Sequence, residues 1–134
     1  MDMNGKWKLV SADNIPEICD VLGTSAENKE KAIKLMGPGN NVTQDINIDG
    51  DSVSIVYTIG DKTININTKM GEPVDMPFFD GRMLKCVFSV DGEKLIENQT
   101  GAFEAVNIRF RQGSQLVMKM TSKNVTTTRV YDKV

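Results

Sequence analysis

The chain has 134 residues, 40% of them hydrophobic and 25% charged, and a formal net charge of -2. That is the size and balance of one soluble globular domain, here 1–134, able to bury a core without staples and lacking the basic field that nucleic acid requires. It contains no histidine, so the commonest general base, nucleophile activator and metal ligand are missing together, and no catalytic residue, metal site or cofactor is expected.

Met1 to Gly5 carries neither a cationic lead nor an apolar run, so no signal peptide is expected. Residues 6–12 are predicted to form a strand with Trp7 and Leu9 on one face, Trp7 serving as a core or barrel-end plug. The only helical pattern follows. Asp13 or Asn14 can cap a short helix with Pro16 in its first turn. Ile15, Ile18, Cys19 and Leu22 make its apolar stripe, and Gly23 stops it. Thr24 or Ser25 caps a second helix. Ala32, Ile33, Leu35 and Met36 form its apolar side, Lys29, Lys31 and Lys34 a basic outer side, and Gly37–Pro38–Gly39 its end. The second helix lacks base-reading residues on its exposed side, so this hairpin is not a DNA reader.

From Val42 onward the period changes from helical to two. Turn signals such as Asp49–Gly50, Asp80–Gly81, Asp91–Gly92 and Gln112–Gly113 recur about every ten residues. They separate predicted strands at 41–48, 52–58, 62–68, 73–77, 82–90, 93–99, 102–111, 114–121 and 124–133. A ten-stranded antiparallel meander leaves two exposed edges unless it closes. The expected fold is therefore all-β with a small helical lid: an up-and-down β-barrel, clam-like, capped by the helix-turn-helix between the first and second strands. Ten strands enclose more space than their side chains fill, so the interior should be a cavity.

Strand alternation on the last segment puts Thr127, Arg129 and Tyr131 on one face and Val130 on the other. On pattern alone, that face either meets water or holds an anion. Cys19 and Cys86 are far apart and follow no metal spacing, which suits reduced thiols in a cytosolic protein. The 8 methionines fit either an adaptable interior or ordinary gap filling.

The whole chain resembles the intracellular lipid-binding proteins, the group of fatty-acid-binding and cellular retinoic-acid-binding proteins. The resemblance is carried by Asn4–Gly5–Lys6–Trp7–Lys8–Leu9 with Ser11 and Asn14, and by the helix-turn-helix after them. Asp49–Gly50–Asp51, Asp80–Gly81–Arg82, Arg109 and Arg129–Val130–Tyr131 carry the rest. It implies a flattened ten-stranded barrel with a two-helix lid. It also implies a ligand carboxylate held by two arginines and a tyrosine, which fall on Arg109, Arg129 and Tyr131. Two features depart from the family pattern. The turn Ile59–Gly60–Asp61 lacks the portal aromatic, leaving Ile59 or Asp61 in its place, and Arg111 adds a cation on the face of Arg109.

Alternation from the two arginines expects Tyr57, Ile64, Ile66, Met118, Met120 and Thr127 to line the cavity, with Ile55, Cys86 and Phe88 as secondary candidates. Ile18, Leu22, Ile33 and Met36 are expected to close the lid side, and Ile108 and Phe110 to face outward. The expected function is a monomeric, cytoplasmic carrier, with the nucleus a second compartment left open, that binds long-chain fatty acids reversibly. Lys29, Lys31 and Lys34 would meet anionic membranes. The alternatives are a carrier of retinoic acid or a bile acid, an enzyme using Cys86 or an aspartate, and an interaction domain with a filled core.

Overall fold

The computed structural model describes residues 2–37 and 39–134. The chain runs β1 (Gly5–Ala12), α1 (Ile15–Val21), α2 (Ala26–Leu35), β2 (Val42–Asp49), β3 (Ser52–Ile59), β4 (Lys62–Lys69), β5 (Val74–Pro77), β6 (Met83–Asp91), β7 (Lys94–Gly101), β8 (Ala105–Gln112), β9 (Gln115–Ser122) and β10 (Val125–Lys133). Tight turns produce this order. At Gly50 and Gly92 the backbone reaches φ of 60° and 61°, a conformation that costs glycine little, and each reverses the chain between neighbouring strands.

One ten-stranded sheet results, in the order β4-β3-β2-β1-β10-β9-β8-β7-β6-β5. Every neighbouring pair for which a register is defined is antiparallel, and β1 closes the meander by pairing with β10. The sheet ends, β4 and β5, are not paired with each other. Gly71 N–H reaches across to the Phe88 carbonyl at 2.8 Å. The barrel is thus nearly closed, and its apolar interior runs from Trp7 through Ile55, Phe88 and Leu95 to Tyr131.

The helices begin differently from one another. Ser25 caps α2 as expected, its hydroxyl accepting from Asn28 N–H at 3.2 Å. Asn14 occupies the N-cap of α1 but does not cap it with its side chain. Its amide donates to the Thr126 carbonyl at 3.0 Å, and Asp13 accepts from Thr128 N–H at 2.6 Å. Thr127 adds a hydroxyl bond to the Asp13 carbonyl. The start of the lid is therefore tied to β10, the strand that carries Arg129 and Tyr131. Pro38 of the expected helix end lies outside the described residues, as does Met1.

Arg82 holds the turn between the two helices of the lid. It donates to the Leu22 carbonyl at 2.6 Å and to the Thr24 hydroxyl at 3.1 Å, and it is paired with Asp80 at 2.9 Å. Its guanidinium also lies over Phe103 and Phe78, at 5.2 and 5.8 Å from the ring centres. At the far end of the barrel Trp7 is fully buried and donates to the Met3 carbonyl at 2.9 Å. Arg111 and Lys133 lie over its ring at 5.1 and 4.7 Å. Arg111 bonds Asp2 at 2.9 Å, so this extra cation belongs to the plugged end and not to the interior.

Two expectations are corrected here. The strand predicted at 102–111 begins only at Ala105, because the backbone bends at Ala102 and Phe103 where Phe103 packs against Phe78, ring centres 4.9 Å apart. Ile33 does not close the lid. It is 43% exposed and borders an outer groove with Val10. Ala32 is the residue of α2 that packs inward, and Ile33 lies about 100° around the helix from it.

Candidate functional site

The period-two pattern of four adjacent strands stacks inward side chains into rungs. Arg129 pairs with Met118, Met118 with Arg109, and Arg109 with Leu95. One rung toward the lid, Thr127 pairs with Met120, Met120 with Asn107, and Asn107 with Glu97. One rung beyond that, Ala105 pairs with Gln99. Alternation thus brings two arginines, a carboxylate and two amides to one wall of the barrel.

Arg109 and Glu97 are both completely buried and form an ion pair of 2.8 Å. Arg109 also donates from Nε to Gln44 Oε1 at 2.9 Å and from Nη2 to the Tyr57 hydroxyl. Gln44 and Tyr57 in turn direct their polar hydrogens at the Met118 sulfur, at 3.3 and 3.7 Å. The second oxygen of Glu97 accepts from Gln99 Nε2 at 2.8 Å. Burial opposes the charge on Arg109, but Tyr57 and Glu97 outweigh it and hold the guanidinium more firmly protonated than usual. The same burial pushes the Tyr57 phenol up, against the pull of Arg109. The charge of Arg109 is therefore balanced inside the protein.

Arg129 is different. Among the described residues it has no acid partner. Its Nη2 lies 3.9 Å from the Met120 sulfur, and its buried Nε has no hydrogen-bond acceptor. Two residues on, Tyr131 is fully buried and its hydroxyl also has no partner among the described residues. Groups of this kind are costly inside a protein unless something pairs with them.

Arg129 borders a cavity lined by Ile18, Leu22 and Met36 from the lid side and by Tyr57, Ile64, Met118 and Met120 from the barrel, with Gln99 and Asn107 on its polar wall. Ile59, Phe78 and Phe79 also line it, so the aromatic rings that the turn after β3 lacks come from the segment after β5. Of the remaining expected lining residues, Ile66 is packed in the core and Thr127 is bonded to Asp13. The cavity offers about 70 Å³ to water-sized occupants, and about 680 Å³ of atom-free space once its mouth is counted.

Glu97 and Gln44 were not among the residues expected at the site. Glu97 had a signal: Leu95 marks the inward face of its strand, and Glu97 is two residues further on. The lysines of α2 are mostly spoken for, since Lys29 bonds Asp20 at 2.7 Å and Lys31 lies 3.6 Å from Glu27. Phe110 does lie on the outer side, between Lys94 and Lys119, each 5.9 Å from its ring centre.

Cys86 is fully buried, and burial together with the neighbouring Glu97 pushes its thiol well above its ordinary value of 9.0. A protonated thiol in that setting is not a nucleophile. The sign of the linked stability follows. The folded protein keeps a proton that the unfolded chain releases above about pH 9, so stability is intact below that pH and falls above it, by up to about 1.4 kcal/mol per pH unit. The urea midpoint should hold from neutral pH to about 9 and then decline, and Cys86→Ala should flatten the decline. A midpoint unchanged up to about pH 11 would show that the thiol titrates freely.

No family model matches the sequence. Sodium/calcium exchanger regulatory protein 1 of Doryteuthis pealeii is 30% identical over 133 residues, 99% of this chain and 97% of that protein. Cellular retinoic acid-binding protein 2 of Homo sapiens is 26% identical, with 97% of this chain and 96% of that protein covered. The Schistosoma mansoni fatty acid binding protein in complex with arachidonic acid superposes with a TM-score of 0.87 at 26% identity, over 98% of this chain and 95% of that one. The chain belongs to the intracellular lipid-binding protein family. Its relatives' names describe binding and regulatory proteins, and a lipid-binding protein with this cavity is a carrier of hydrophobic ligands. No helix among its described residues is long and apolar enough to cross a membrane.

Proposed function

We propose that this lipid-binding protein carries long-chain fatty acids in the cytoplasm as a single β-barrel domain and without catalysis. The carboxylate is held by Arg129 and Tyr131, and Arg109 stands behind them as a neutralised floor. The observation that carries this reading is Arg129, a cation at the cavity wall with a buried Nε and no acid partner among the described residues. A fatty carboxylate supplies the missing charge and two acceptor oxygens, one for the guanidinium and one for the Tyr131 hydroxyl. The tail then lies among Ile18, Leu22, Ile64 and Met120. The name of the Schistosoma relative, which describes an arachidonic acid complex, favours an acyl chain. The human relative's name keeps retinoic acid as the competing carboxylate.

The test is direct binding. Delipidated protein should take up a fluorescent fatty acid that unlabelled oleate displaces at micromolar concentration or below, about −8 kcal/mol or tighter. Retinoic acid should displace it less well. Failure to bind any acyl carboxylate would remove the carrier reading.

A further inference from the structure

Gln99 is almost fully buried, 4% exposed, and it lines the same cavity as Arg129. Its orientation is determined by its neighbour. Nε2 donates to Glu97 at 2.8 Å, and the other oxygen of that carboxylate receives Arg109 at the same distance. An ionised carboxylate only accepts, so turning the amide over would set its carbonyl against a carboxylate oxygen. The ion pair therefore holds Gln99 Oε1 as a pure acceptor. That oxygen is buried and has no donor among the described residues. On the adjacent strand Asn107, 2% exposed, also has a buried Oδ1 without a donor. Asn107 pairs in register with Glu97, so both amides belong to one polar strip on the β7–β8 wall.

A plain hydrocarbon chain laid along this strip shuts two acceptors away from water and gives them nothing. A hydroxyl on the chain donates its one hydrogen to Gln99 Oε1. The Asn107 amide makes no hydrogen bond among the described residues, so it can turn over and present its N–H to the hydroxyl oxygen. The hydroxyl's place along the guest follows from the rungs. Arg109 shares a rung with Arg129, Asn107 is one rung nearer the lid and Gln99 two. Each rung is two residues, about 7 Å along the strand. The hydroxyl thus belongs well down the chain and not beside the carboxylate.

We propose that the guest is a hydroxylated fatty acid, its carboxylate at Arg129 and Tyr131 and its mid-chain hydroxyl recognised by Gln99 with Asn107. This rests on the carrier reading above and narrows its substrate class. Glu97 acts as a positioning residue, because it fixes which end of the Gln99 amide the guest meets.

Ricinoleate and oleate differ by one mid-chain hydroxyl and serve as the probe pair. Competition binding to the delipidated full chain should favour ricinoleate by about tenfold. In Gln99→Met the ratio should collapse to about one, ricinoleate binding more weakly and oleate more tightly, because the unpaired acceptor is gone. Should Gln99→Met not fold, Asn107→Leu is expected to reduce the same ratio. Equal affinity of the wild-type chain for the two acids overturns this inference and leaves the carrier reading standing. A substitution that weakens both acids alike also overturns it. Binding of neither acid overturns both readings together.

Discussion

Arg129→Gln is expected to lower the affinity for oleate by about ten- to a hundredfold and the affinity for oleyl alcohol by less than about threefold, both measured by competition for one fluorescent probe. The two guests share a tail and differ only at the head group. A charge-assisted hydrogen bond contributes about 1.5–3 kcal/mol, while the tail's contacts are the same in both complexes. Arg129 is the residue to change because no acid among the described residues balances its charge, whereas Arg109 already has Glu97 at 2.8 Å. The same variant should be no less stable than wild type when unliganded, since it removes a guanidinium whose buried Nε has no acceptor. An equal loss for acid and alcohol would place the head group elsewhere in the cavity.

That contrast between the two arginines was only half legible in the sequence. Alternation put Arg129 and Tyr131 on one face, and the turns spaced the strands closely enough that most observed boundaries fall within a residue or two of those expected. Turn residues act locally, through the backbone conformation each one permits, so one chain read in order reveals them. The exception shows the limit. The strand expected from 102 starts at Ala105, because Phe103 is drawn onto Phe78 from a distant turn. Ile33 failed for a different reason. The apolar residues of α2 span too wide an arc for one lid to bury, and which edge is left out depends on what lies beneath.

The partner of Arg109 was hidden by register. Period two makes Glu97 inward as surely as Leu95, yet a glutamate on a strand ordinarily faces water, and its partner lies twelve residues away on the next strand. Pairing across strands depends on how the ladders align, which composition does not reveal. The missing portal aromatic has the same explanation. The turn Ile59–Gly60–Asp61 lacks one, and Phe78 and Phe79 reach the cavity wall from the segment after β5.

Glu97→Gln should cost about 3–5 kcal/mol of folding stability, read from urea denaturation, and this is the largest effect we expect from a single substitution. Volume and shape are kept, so the loss measures the charge alone: Arg109 would remain buried with its balancing anion gone. Arg109→Met strands Glu97 in the same way and should cost a similar amount. The double variant Glu97→Gln/Arg109→Met carries no buried charge at this point and should be more stable than either single variant, which is the signature of a coupled pair. Ligand separates the two single variants. In Glu97→Gln the guest's carboxylate can reach toward Arg109 and stand in for the lost side chain, so saturating oleate should stabilise this variant more than it stabilises wild type. In Arg109→Met there is no such vacant charge, and oleate should stabilise it no more than wild type. A loss of under about 1 kcal/mol in Glu97→Gln would mean that Arg109 reaches solvent or another anion, and the neutralised floor beneath Arg129 would have to be abandoned.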